Sequence, residues 1–154
     1  MDNNSILRRL RYALDASDDD MVTTFGLGGW TLTAPQVCAL MAREEEEGAV
    51  ECSDAVLSDY LDGLILQRRG PRKPGSPAPA SVVPLTNNTI LKKLRIAMNL
   101  REQDMLEMLK AGGQPLSRGE LTALFRNPRH KHYRACGDQI LRNFIKGLTQ
   151  SLRG

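Results

Sequence analysis

The sequence predicts an all-α protein built from two tandem copies of one small four-helix unit. Three observations carry that prediction. Residues 3–70 align with 87–154 at a constant shift of 84, without a gap and with 21 identical pairs, and a regular self-match of this kind marks one fold used twice. Apolar residues recur at helical spacing within each copy, as in Ile6, Leu7, Leu10, Ala13 and Leu14. No stretch alternates convincingly as a strand. The copies are expected to occupy residues 1–70 and 87–154. Between them, 71–86 holds five of the eight prolines and reads as a Pro-rich, semi-rigid linker. Each copy is near the lower size limit for independent folding, so the copies are expected to pack on each other or on a second chain.

Helix 1 of each copy starts at Asn3 or Asn4, and again at Asn88, because an asparagine side chain accepts a bond from a free N–H of the first turn. Arg8, Arg9 and Arg11 fill its other faces, as Lys92, Lys93 and Arg95 do in the second copy. Helix 2 runs from about Asp18 to Leu27, with three aspartates at the positive end of the helix dipole. Gly28-Gly29 and Gly112-Gly113 stop it, since glycine enters the left-handed region cheaply. Helix 3 opens on a capping box in both copies, Thr33 with Gln36 and Ser117 with Glu120. Helix 4 follows Ser53 or Gly137. Cys52 with Leu57, and Cys136 with Leu141, have the spacing of a hydrophobic staple. Gly63 and Gly147 fall inside helix 4 at a cost of roughly 1 kcal/mol each relative to Ala. The repetition of that cost points to close approach of another helix.

Charge divides the copies. Residues 3–70 carry 6 Lys+Arg against 12 Asp+Glu, and 87–154 carry 13 against 5, so the halves stand at −6 and +8. Such asymmetry suggests that the basic half meets nucleic acid or another acidic partner, or that the halves attract each other. Helix 2, the Gly-Gly turn and helix 3 have the outline of a helix-turn-helix, although the turn from Gly112 to Leu116 exceeds the usual three or four residues. In the second copy the segment continues into Pro128-Arg129-His130-Lys131-His132-Tyr133-Arg134. Lys92, Lys93, Arg95, Arg118, Arg126, Arg129, Lys131 and Arg134 are the candidates to neutralise phosphates of DNA or RNA, with Tyr133 able to stack on a base. The first copy has Arg43-Glu44-Glu45-Glu46-Glu47 in the related stretch, which repels phosphate. A protein-interaction or self-association module, held by the helix 4 stripes and the acid–base split, is the alternative.

Nothing in the sequence supplies a catalytic constellation. His130, His132 and Cys136 provide at most three zinc ligands, and the first copy has no histidine, so no metal or other cofactor is expected. Cys52 and Cys136 precede helices, where a thiolate can be stabilised, but a buried staple cysteine accounts for both. Three cysteines without an export signal indicate a reducing cytoplasm. No apolar run approaches the roughly 20 residues of a membrane span.

Asn-Asn-x-Ile-Leu-(Arg/Lys)-(Arg/Lys)-Leu-Arg, the Gly-Gly turn and Cys136-Gly137-Asp138-Gln139-Ile140-Leu141-Arg142-Asn143-Phe144-Ile145-Lys146-Gly147-Leu148 resemble the YehS family of bacterial proteins, which carry two copies of a domain of unknown function. The resemblance covers both repeats and is strongest over residues 130–138. The first copy departs from the pattern at Met41 and in its acidic run. The resemblance implies a soluble bacterial cytoplasmic protein and brings no catalytic residues with it.

Overall fold

The computed structural model describes residues 1–71, 74 and 85–154, and these form eight helices. They are α1 (Asn3–Leu14), α2 (Asp18–Leu27), α3 (Ala34–Met41), α4 (Asp54–Arg69), α5 (Asn87–Ala97), α6 (Glu102–Ala111), α7 (Arg118–Leu124) and α8 (Asp138–Arg153). No strand occurs among the described residues. Most of the expected Pro-rich linker lies outside them.

The capping boxes at Thr33/Gln36 and Ser117/Glu120 both form. The start of helix 1 differs from the sequence expectation. Asp2 caps α1 through a 2.7 Å bond from the Ser5 N–H, and Thr86 caps α5 through a 3.2 Å bond from Thr89. The asparagines are used elsewhere. Asn4 Nδ2 donates to the carbonyls of Leu40 and Val50, while its Oδ1 accepts from the Cys52 N–H at 2.9 Å. Asn88 does the same with Leu124, Arg134 and Cys136. An amide side chain both donates and accepts, so one residue ties the end of helix 3 to the entry of helix 4. A capping role would have used only its acceptor.

Gly63 and Gly147 mark the closest helix crossings. A Cβ at Gly63 would lie 2.1 Å from the Thr24 carbonyl oxygen, and one at Gly147 would lie 1.8 Å from that of Met108. Gly28 and Gly112 face them, and a Cβ there would strike the carbonyls of Asp59 and Asn143. Backbone therefore rests on backbone where α2 crosses α4 and where α6 crosses α8. Gly29 and Gly113 adopt positive φ, at 99° and 96°, and turn the chain out of helix 2.

The two repeats interlock. Helix α4 packs along α5, the first helix of the other repeat, and α8 packs along α1. Both pairs are parallel. Asp54, at the start of α4, accepts from the Leu85 N–H at 2.9 Å, while further along Asp62 meets Lys93 of α5. In the related pair, Asp138 at the start of α8 accepts from the Met1 amino group at 2.6 Å, and Arg153 at its end reaches the Tyr12 carbonyl at 3.1 Å and Asp15 at 3.0 Å. Asn3 and Asn87 add bonds of 2.7 Å to Asp54 and Asp138 within their own repeats. Hydrogen bonds to an ionised carboxylate favour the charged form. Asp54 is held below the usual range by Asn3 and then by the Leu85 N–H, and Asp138 by the Met1 amino group and then by Asn87. One apolar core runs through both repeats, including Leu7, Phe25, Tyr60 and Leu64 from the first and Leu91, Met105, Leu121 and Phe144 from the second.

Candidate nucleic-acid interface

The basic surface is built on the loop that joins α7 to α8. Asn88 anchors this loop to the start of α5. Lys92, one helical turn later on the same face of α5, is exposed. Backbone bonds from His130 N–H to the Asn127 carbonyl (2.8 Å), from Tyr133 to His130 (3.0 Å) and from Arg134 to Ala123 (3.1 Å) fold the loop into consecutive turns. Those turns leave Arg129, Lys131 and Arg134 exposed and Arg126 and Tyr133 half-buried. Arg134 pairs with Glu120 at 3.3 Å. Arg126, Arg129 and Lys131 form no ion pair among the described residues.

Three of the expected phosphate contacts stand differently. Lys93 is only 8% exposed, and its ammonium donates to Asp62 of α4. It is a seam residue between repeats, because the interlocking helices cover the face of α5 that carries it. Arg95 is half-buried: its Nε donates to the Leu100 carbonyl at 3.3 Å, and its guanidinium lies 5.0 Å above the Phe125 ring. Arg11 makes the related bond to the Ala16 carbonyl at 3.1 Å. An arginine retained in both the acidic and the basic copy performs a task common to both, and that repetition was the available signal. Arg118 is exposed but is drawn back along its own repeat, 3.9 Å from Glu102 and 3.4 Å from Gln103.

Helix α7 has only seven residues. It buries Leu121 and Leu124 and exposes Arg118, Gly119, Glu120 and Thr122. Ser117 caps its first turn and holds the Glu120 carboxyl below the usual range. One exposed arginine beside an ionised glutamate makes a poor reader of base edges. The segment 112–117 that precedes α7 is also longer than a helix-turn-helix turn. The cationic loop carries more free charge than the helix does.

The cysteines divide cleanly. Cys52 and Cys136 are buried and Cys38 is exposed. Burial pushes the Cys136 thiol up to about 11. Burial, reinforced by the charges of Asp54 and Asp2, pushes the Cys52 thiol up to about 12. These are protonated thiols, with the opposite character to an activated nucleophile. The rings of His130 and His132 lie 5.6 Å apart, and the His132 N–H donates to His130 Nδ1 at 3.0 Å. No three potential metal ligands come together among the described residues.

Comparison with known proteins fits this repeated architecture. A family model described as "Protein of unknown function (DUF1456)" matches twice, over residues 3–70 and 87–154. The chain belongs to the DUF1456 family. A relative, "Uncharacterized protein YehS" of Escherichia coli (strain K12), is 43% identical over 147 residues, which cover 96% of this chain and 94% of the relative. The two DUF1456 segments are thus the two interlocked repeats, with boundaries identical to those of the internal self-match. No solved structure matched the chain. No helix among the described residues is long and apolar enough to cross a membrane.

Proposed function

We propose that the chain is a non-enzymatic cytoplasmic binding protein that holds nucleic acid through the 126–135 loop and Lys92. The observation that carries this reading is the state of the loop's charges. Arg126, Arg129 and Lys131 form no ion pair among the described residues, and Lys92 stands exposed one helical turn beyond Asn88, the residue that anchors the loop. Ion pairs elsewhere join the repeats, so the fold itself does not account for this cluster. A patch of one sign raises the local concentration of phosphate and speeds encounter. Tyr133, half-buried in the loop, offers a ring on which an unpaired base can stack. The contact is mainly with the backbone, because α7 presents few groups suited to base edges.

The test is fluorescence anisotropy with single-stranded and duplex oligonucleotides across a salt series, using protein freed of any nucleic acid that co-purifies at low salt. Four phosphate contacts give a log–log salt slope of about −2.8 on single strands and about −3.6 on duplex DNA. Arg129→Glu with Lys131→Glu, both at exposed positions, should abolish binding at intermediate salt. Absence of binding at low salt, or binding that this double variant leaves unchanged, would refute the reading.

A further inference from the structure

The loop related to 126–135 by the 84-residue shift is 42–51, and the two carry equal and opposite charge. Loop 42–51 has one cation, Arg43, against Glu44, Glu45, Glu46, Glu47 and Glu51, which gives −4. Loop 126–135 has Arg126, Arg129, Lys131 and Arg134 and no carboxylate, which gives +4. All five glutamates are exposed. The ion pairs that cross between repeats are Lys93–Asp62, Arg153–Asp15 and the Met1 amino group with Asp138. None of them uses either loop, so among the described residues the two charges do not neutralise each other within one molecule.

Their placement matters as much as their sign. Asn4 fastens loop 42–51 to the start of α1, and Asn88 fastens loop 126–135 to the start of α5. Asp54 and Asp138 gather the starts of α1, α4, α5 and α8 at one end of the molecule. The loops therefore flank the same end, one on each side of the internal two-fold relation. A second molecule, turned about an axis that lies in the plane of that end and runs perpendicular to the line between the loops, sets acidic loop on basic loop twice. Such a pairing is closed and self-complementary.

We propose that this end is the docking face for a second copy of the chain, with the 42–51 loop of each molecule seated on the 126–135 loop of the other. Beside the acidic loop lies an apolar groove lined by Trp30, Leu32, Ala39, Leu40, Val50 and Val56. Val50 belongs to the loop and is 51% exposed. In the basic copy the same position is Arg134, directed at Glu120. Gln114 and Arg134 stand in the basic copy where the acidic copy has Trp30 and Val50, so the acidic side offers the docked loop more apolar area to bury, which favours the orientation that the charges select. The glutamates then occupy the surface on which phosphates would lie, so self-association and nucleic-acid binding exclude each other. The pairing itself stands on charge and position and is tested without nucleic acid.

Sedimentation velocity of the full chain, with nucleic acid removed, reads the result. At about 20 mM salt a dimer is expected, and at about 500 mM, where screening reaches only a few ångströms, a monomer. Glu45→Lys with Glu46→Lys, and separately Arg129→Glu with Lys131→Glu, should each weaken the dimer at least tenfold. Each double substitution brings its loop to a net charge of zero. An equimolar mixture of the two variants should restore the dimer, because one contact of the mixed pair then sets a native acidic loop on a native basic loop. A wild-type monomer at low salt, a dimer indifferent to either reversal, a mixture that stays monomeric, or species that grow beyond the dimer with concentration would each overturn the proposal.

Discussion

Lys93 of α5 and Asp62 of α4 form an ion pair between the two repeats, with the lysine almost wholly buried. The related positions in the other seam, Arg9 and Lys146, are both cationic and both exposed. One of the two equivalent helix pairs is thus tied at its middle by a buried ion pair, while the other is tied at its ends, by Met1 with Asp138 and by Arg153 with Asp15. Lys93 therefore serves the seam between the repeats rather than the surface.

Removing the lysine strands a carboxylate in a partly closed seam. Lys93→Ala is expected to cost about 2 kcal/mol or more in urea unfolding, below the 3–5 kcal/mol typical of a fully buried pair because Asp62 retains some solvent contact. Replacing both partners, Lys93→Met with Asp62→Leu, should bring stability back to within about 1 kcal/mol of the parent. A neutral Lys93→Ala would show that the pair has no structural weight.

The crossing glycines allow a sharper contrast. Gly147→Ala places a methyl 1.8 Å from the Met108 carbonyl oxygen. Only a shift of whole helices relieves that overlap, so a loss of about 3 kcal/mol or more is expected. Gly119→Ala, near the start of α7, meets only the Ser117 hydroxyl at 3.9 Å. It should raise stability by about 0.5–1 kcal/mol through helix propensity. Chemical denaturation of the two variants checks both signs.

Thiol chemistry reports on the staples. Cys38 should react with iodoacetamide at neutral pH, while Cys52 and Cys136 stay unmodified until the chain unfolds. The same burial sets a pH dependence. An unfolded thiol ionises near pH 8.5, whereas burial pushes the folded Cys136 to about 11. The unfolded state therefore gives up protons first, and stability should be full below about pH 8.5 and fall as pH rises toward 11. Cys136→Ala should flatten that alkaline fall. Rapid labelling of all three cysteines in the folded protein would contradict the buried environment of the pair.

Much of this molecule was legible in the sequence because the repeat presents each signal twice. The capping boxes at Thr33 and Ser117 are local, since side chain and backbone partner lie three residues apart. The glycines at 63 and 147 could be read as crossings because a destabilising residue kept twice must be compensated by packing. The partners of Asn4 and Asn88 were not legible. Their bonds reach residues 36 to 48 positions away, and no local rule gives preference to those carbonyls over the first-turn N–H groups.

By itself the sequence determined the helical class, the two-fold repetition, the helix stops and the division of charge, all of which follow from composition and from spacing along the chain. Only the tertiary structure decided that the repeats interlock, that Lys93 and Arg95 serve the fold, and that the acidic and basic loops share one end of the molecule. Those outcomes depend on which helix faces meet. With α4 laid along α5 and α8 along α1, each repeat covers apolar surface that the other leaves open, and a shift of 84 residues cannot reveal which copy supplies the cover.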